Sequence, residues 1–252
     1  MSHPSDIEPT ENPFALSIGD LMASLLLIFV LLLVSALLSV QEQDEKIKDT
    51  IARIDSTKQN LFNKLNEEFK DDFKKWDAEI DTSLTIRFKG IVTIDKQYEK
   101  FYFASDSSSL NTSHKTILDK FFLKYINILR LDEFKKAIKE IRIEGHTDAK
   151  PRNMKKYPDP YIGNMILSQE RALSVAAYSL GTIKKQDERK WVESKLMANG
   201  LSYSRLIDKE NDTSAVNRRV EFRIVTDFEE QIDKALRILR NENDNLDNDR
   251  IK

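Results

Sequence analysis

The chain has 252 residues, no cysteine, and 40 basic against 42 acidic side chains, for a net charge of −2. At about 100 to 200 residues per domain this length holds one sizeable core plus accessory segments, and the missing thiols exclude disulfide frameworks and thiolate metal sites. The balanced charge lacks the basic footprint of nucleic-acid binding, so no direct contact with DNA or RNA is expected.

Residues 1–17 form a short N-terminal segment with Asp6, Glu8 and Glu11 and no Lys or Arg. Leu21 to Val40 then reads LMASLLLIFVLLLVSALLSV, without a charge. At 1.5 Å per residue such a run covers about 30 Å, one hydrocarbon core, so 18–40 is read as a single transmembrane helix. Its length and acidic start do not fit a signal peptide. Asp20 has two readings. A carboxylate at membrane depth is a functional candidate, whereas Ser17-x-x-Asp20 also fits a capping box at a helix start. On a helical projection Asp20, Ser24, Ser35 and Ser39 share one arc of about 100°, a polar stripe suited to packing against other helices or a hydrated path.

Residues 41–80 change character: 19 are charged, and glycine and proline are absent. Ile47, Ile51, Ile54, Leu61, Leu65, Phe69, Phe73, Trp76 and Ile80 recur at helical spacing, supported by pairs such as Glu42/Lys46 and Asp71/Lys75. This predicts a long helical linker, either a solvated spacer or a helix paired loosely with a second copy.

Residues 82–226 read as an α/β domain. Strands are predicted at SLTIRF, GIVTID, FYFAS, Ile141–Glu144 and within Arg219–Thr226, with helices at Lys115–Leu129, Ile162–Leu180 and near Lys190–Ala198. Residues 227–252 read as an amphipathic helix to Leu239 followed by a polar, disordered tail. His3 and His114 stand isolated, which gives a metal site no support.

Five motifs occur in order: Phe103-Ala-Ser-Asp-Ser-Ser-Ser-Leu110, Gly145-His-Thr-Asp148, Asn164-x-x-Leu-Ser168-x-x-Arg171-Ala172, Gly200-x-x-x-Ser-Arg205 and Asn217-Arg-Arg-Val-Glu221. Together they resemble the OmpA/MotB C-terminal peptidoglycan-binding domain. The resemblance implies an α+β chain, with a transmembrane helix, a helical linker and a βαβαββ-type periplasmic domain that grips the diaminopimelate of the cell-wall stem peptide. It implies Asp148 as acceptor for the ligand ammonium and Arg171 as forked donor to a carboxylate, a geometry that lysine lacks. Asn164 and Arg218 match further motif positions lining or bracing the pocket. His146 belongs to its motif as a turn residue and has no catalytic partner at a recognisable spacing. Two departures stand out: the long stretch AKPRNMKKYPDPYIG between Asp148 and Asn164, and Asp106 where a glycine is common.

The whole layout resembles MotB-type stator subunits, and residues 12–24 resemble in particular the ZorB family of Zorya anti-phage defence. That resemblance implies a non-enzymatic inner-membrane subunit without cofactor or metal, its N-terminus cytoplasmic and its C-terminal domain periplasmic. Two copies would sit inside a pentameric ring of a MotA-like (ZorA-like) partner, with Asp20 carrying a translocated proton or sodium ion and Ser24 supporting it. Lys46, Lys48 and Arg53 on the C-terminal side oppose this orientation by the positive-inside rule, but neighbouring acids offset them and a cell-wall pocket has no use in the cytoplasm. The alternatives are a passive cell-wall anchor, with Asp20 only a cap, and a flagellar MotB-type stator, whose basic N-terminus and tryptophan-rich helix are missing here.

Overall fold

The computed structural model describes residues 13–88, 101, 103–228, 230–233 and 237. The predicted strand GIVTID, six positions of the predicted terminal helix 227–239 and the polar tail lie outside them. Helix α1 (Pro13–Trp76) opens on a proline, whose fixed φ and missing N–H suit a first helical turn. Two compact units divide the chain: the first contains residues 13–52 of α1, and the second runs from Arg53 to Asp233.

In the first unit every residue from 17 to 42 is exposed. Among the described residues α1 is the one helix long and apolar enough to cross a membrane. Burying a single large aliphatic side chain is worth roughly 1.5–3 kcal/mol, so a fully exposed run of this kind is fitted to hydrocarbon rather than water. The capping-box reading of Ser17 and Asp20 fails, because α1 begins at Pro13 and both residues lie inside the helix. The Ser24 hydroxyl donates to the main-chain carbonyl of Asp20 at 2.8 Å, the back-bond by which serine satisfies itself within a helix.

In the second unit the remainder of α1 is part of the core. Leu61, Leu65, Phe69, Phe73 and Trp76 are buried; Phe69 lies 5.2 Å from Phe121, and Trp76 meets Phe121 edge-on at 6.2 Å. The apolar stripe from Leu61 onward is thus covered by the chain's own domain and not by a second copy or by water. Lys124 adds ion pairs back to Asp72 at 3.3 Å and Glu68 at 3.8 Å. The helix ends at Asp77, whose φ of 51° reverses the chain.

The elements that follow are β1 (Ala78–Ile80), β2 (Thr85–Phe88), α2 (Thr112–Leu129), β3 (Ile138–Gly145), α3 (Pro160–Thr182), α4 (Gln186–Glu193), β4 (Leu196–Gly200) and β5 (Val220–Thr226). From β2 onward this is the βαβαββ order, with α4 added after α3. The sheet order is β1-β2-β5-β3-β4. Among the described strands only β3 and β4 pair in parallel, which requires the crossover that α3 and α4 provide. Ile86, Phe222 and Ile143 stand in register on the core face, and Phe222 packs against Phe121 at 4.9 Å. The opposite face carries Arg87, Glu221 and Glu144 in register.

Three local expectations change. The helix predicted near Lys190–Ala198 stops at Glu193, and Leu196–Gly200 is instead the edge strand β4. Phe101 and Phe103 are buried but lie outside regular strand. His114 is not isolated: Asn111 caps α2 by accepting from the His114 N–H at 2.8 Å, while His114 Nδ1 accepts from the Asn111 N–H at 3.3 Å, a reciprocal cap.

Candidate functional site

The site grows from the end of β3. Gly145 lets β3 approach α3, since a Cβ there would collide with the Ser168 carbonyl. The next residues are stitched to the segment before β5: His146 N–H donates to Arg219 O, Thr147 N–H to Ser202 O and Ala149 N–H to Asp212 O, each at 2.9 Å. Asn217, fully buried, holds that segment by accepting from the Ile207 and Asp208 N–H groups at 2.9 and 3.1 Å. Asp148 is thereby fixed at the strand end with only 7% of its side chain exposed.

Its ion-pair partner is Arg218, at 2.8 Å between Nη1 and Oδ2. Arg218 also donates through Nε to the Phe103 carbonyl at 3.1 Å, and its main-chain carbonyl accepts the Phe103 N–H at 3.3 Å. Arg171, on α3, reaches the same place from the other side. Its Nε donates to Ser107 O at 2.9 Å, Nη1 to His146 O at 3.0 Å and Nη2 to Ala104 O at 2.9 Å, with the guanidinium 5.1 Å from the Phe103 ring centroid. Burial pushes the Arg171 guanidinium down to about 10, against the opposing pull of Asp148, so it remains a cation at neutral pH. The predicted residues Asp148, Arg171 and Arg218 therefore converge around Phe103, but Asp148 pairs with Arg218, and Arg171 is committed to three carbonyls. Asn164, buried on α3, donates to Lys150 O at 3.0 Å and braces the loop that leaves Asp148.

That loop brings in residues that sequence reasoning did not single out for the site. Arg152 pairs with Asp106 at 2.7 Å and with Glu170 at 3.1 Å, and lies 5.3 Å from the Tyr157 ring. Tyr157 and Arg152 pack onto Gly163 in the first turns of α3, where a Cβ would come within 3.0 Å of Tyr157 Cβ. The signal was present as two separate departures, the long loop and Asp106; what joins them is a contact between residues 46 positions apart.

On the sheet's other face Glu144, His146 and Glu221 place ligand-type atoms within 4.8 Å of one another. Arginines already engage the two carboxylates: Arg219 and Arg87 donate to Glu221 at 2.6 and 2.7 Å, and Arg205 lies 3.4 Å from Glu144. Burial alone would raise the Glu221 carboxyl, but the charges around it, Arg219 foremost, hold it below its ordinary value. Burial pushes His146 down to about 3, with Arg219 adding to the effect. The imidazole is neutral, and the three guanidinium groups make this an ion-pair network unfavourable to a further cation. Asp20 and Ser24, one turn apart on α1, are both exposed.

Residues 102–219 match the OmpA family. The chain is 33% identical over 229 residues to Zorya protein ZorB of Escherichia coli, an alignment spanning 90% of this chain and 93% of that protein. Among solved structures it is similar to a MotB-like protein from Desulfovibrio vulgaris, at 19% identity over 69% of this chain and 94% of that one, with a TM-score of 0.46. It is also similar to the cell wall anchor of the T6SS from Pseudomonas aeruginosa, at 24% identity over 64% of this chain and 96% of that one, with a TM-score of 0.42.

Proposed function

Because this chain belongs to the ZorB family of Zorya proteins and carries an OmpA-family domain, we propose that it is the peptidoglycan-anchored stator subunit of an ion-driven motor in the bacterial inner membrane, acting in anti-phage defence. The observation that carries the anchoring half is the convergence of Asp148, Arg218 and Arg171 around Phe103. Diaminopimelate presents an ammonium beside a carboxylate. Its ammonium takes Asp148 from Arg218, and the released Arg218 takes the carboxylate, so no charge is stranded without a partner in a largely desolvated site. Arg171 uses three of its five N–H donors on carbonyls, and two remain for the same ligand. The work is binding and force-bearing rather than covalent catalysis.

The motor half rests on Asp20. It lies about two turns inside α1, so capping does not account for its charge. Two copies of α1 stand inside a ring of five MotA-like (ZorA-like) subunits, and a proton or sodium ion passes by way of the two Asp20 carboxylates. Each charge moved through 100 mV supplies about 2.3 kcal/mol for rotation of ring against core. Ser24 supports the site by holding the Asp20 carbonyl. The N-terminus is cytoplasmic and the second unit periplasmic, tied to the wall.

Cosedimentation of the detergent-solubilised full chain with purified peptidoglycan sacculi tests the anchor. Wild type pellets with the sacculi, while Asp148→Asn, which keeps the side-chain shape and removes the charge an ammonium needs, stays in the supernatant. A wild-type chain that fails to pellet, or an Asp148→Asn chain that pellets equally, would contradict the assignment.

A further inference from the structure

The loop between Asp148 and α3 is built against the pocket. Ala149 is tied to Asp212, Lys150 to Asn164, and Tyr157 packs onto Gly163; Asp159 then caps α3 by accepting the Tyr161 and Ile162 N–H groups. Arg152 occupies the middle of this loop with 16% of its side chain exposed. Its Nε is held by Asp106, its Nη2 by Glu170, and Tyr157 lies against it. Nη1 is buried and has no hydrogen-bond partner among the described residues, which is an unfavourable state for a charged donor unless an acceptor arrives.

Asp106 belongs to the turn whose Ala104 and Ser107 carbonyls are held by Arg171. It takes a φ of 52°, a left-handed conformation that glycine adopts most easily and that aspartate tolerates better than most residues. The carboxylate gives that position a use: it reaches the loop's arginine. Arg152 and Asp106 both contribute to the field at Arg171, as do Asp148 and Arg218, so the loop arginine belongs to the same electrostatic cluster as the pocket.

We infer that Arg152 is a specificity-determining residue of this pocket, donating through Nη1 to a carboxylate of the wall's stem peptide, with Asp106 and Glu170 as the positioning residues that hold its guanidinium in place. The inference rests on the peptidoglycan-binding reading above. It assigns the long loop and Asp106 to one device, a third arginine brought to the ligand alongside Arg171 and Arg218.

The test is isothermal titration of the detergent-solubilised full chain with a soluble diaminopimelate-containing muropeptide, alongside thermal unfolding. Arg152→Ala is expected to weaken binding about tenfold, and Arg152→Lys nearly as much, because a lysine supplies charge without the planar fork. Asp106→Gly is expected to weaken binding about threefold while the melting temperature holds or rises, since glycine relieves the left-handed turn. A purely structural Asp106 would instead lower the melting temperature and leave affinity unchanged, which would overturn its positioning role. Full rescue by Arg152→Lys, or wild-type affinity in Arg152→Ala, would overturn the inference and leave the pocket itself standing. A wild-type chain that binds no muropeptide would overturn both readings together.

Discussion

Arg171→Lys separates what a charge does at this position from what a fork does. The wild-type guanidinium is fully buried and spans three carbonyls on two segments, Ala104 and Ser107 in one turn and His146 at the end of β3. Hydrogen bonds from a charged donor are worth roughly 1.5–3 kcal/mol each. A lysine keeps the charge, but its single ammonium cannot reach all three oxygens from one rotamer, and the contact with the Phe103 face weakens. Loss of one such bond, with one carbonyl left unsatisfied, gives a destabilisation of about 3 kcal/mol. At roughly 2–4 °C per kcal/mol for a domain of this size, the melting temperature falls by roughly 6–12 °C. Buried Trp76 sits in the core, so tryptophan fluorescence during thermal unfolding of the full chain reports the transition. A melting temperature within about 2 °C of wild type would refute the claim that Arg171 ties the first-motif turn to β3. The expected result also governs how binding data are read: loss of ligand affinity in any Arg171 variant counts as recognition only when the fold is shown to persist at the assay temperature.

Gly145→Ala forces β3 and α3 apart at the Ser168 carbonyl and should destabilise by about 3 kcal/mol; a urea midpoint equal to wild type would contradict the close approach. Phe69→Ala removes a fully buried ring from the second half of α1 and should destabilise by about 3–5 kcal/mol, whereas a mere spacer helix would register within about 0.5 kcal/mol. His146 titrates near 3 in the folded chain and near 6.5 when unfolded, so its full contribution is present above pH 6.5 and is lost as pH falls toward 3. Between pH 7 and 5 this removes about 2 kcal/mol. Urea midpoints across that range should therefore fall more steeply in wild type than in His146→Gln, and parallel slopes would contradict the buried neutral imidazole.

Much of this was legible from residue order. The apolar run to Val40 admits few other homes, and β3, β5, α2 and α3 carry clear periodicity. The second half of α1 was harder to place, because a single apolar stripe does not say what covers it; only the fold brings Phe121 to Phe69. Leu196–Gly200 became a strand although Leu, Met and Ala favour helix, because pairing with β3 at the sheet edge overrides local preference. The Ser17-x-x-Asp20 pattern misled because a cap motif has no meaning once the helix has already begun upstream. The sequence offered Asp148, Asn164, Arg171 and Arg218 as site candidates, but not the partners that each takes in the fold. Spacing alone could not say that Asp148 would pair with Arg218, 70 positions away, or that Arg171 would spend three donors on main chain. Asp106 and the long loop were each visible as a departure, and the contact of Asp106 with the loop's Arg152 exists only after folding.

The central claim is that an anchored chain passes ions at Asp20. The most direct measurement is phage protection in cells carrying this protein with its partner genes, wild type against Asp20→Asn, with protein level and membrane insertion checked in parallel. Loss of protection at normal protein level is the predicted result. Full protection by Asp20→Asn would mean that no charge cycle passes through this carboxylate, and that the chain is a passive anchor.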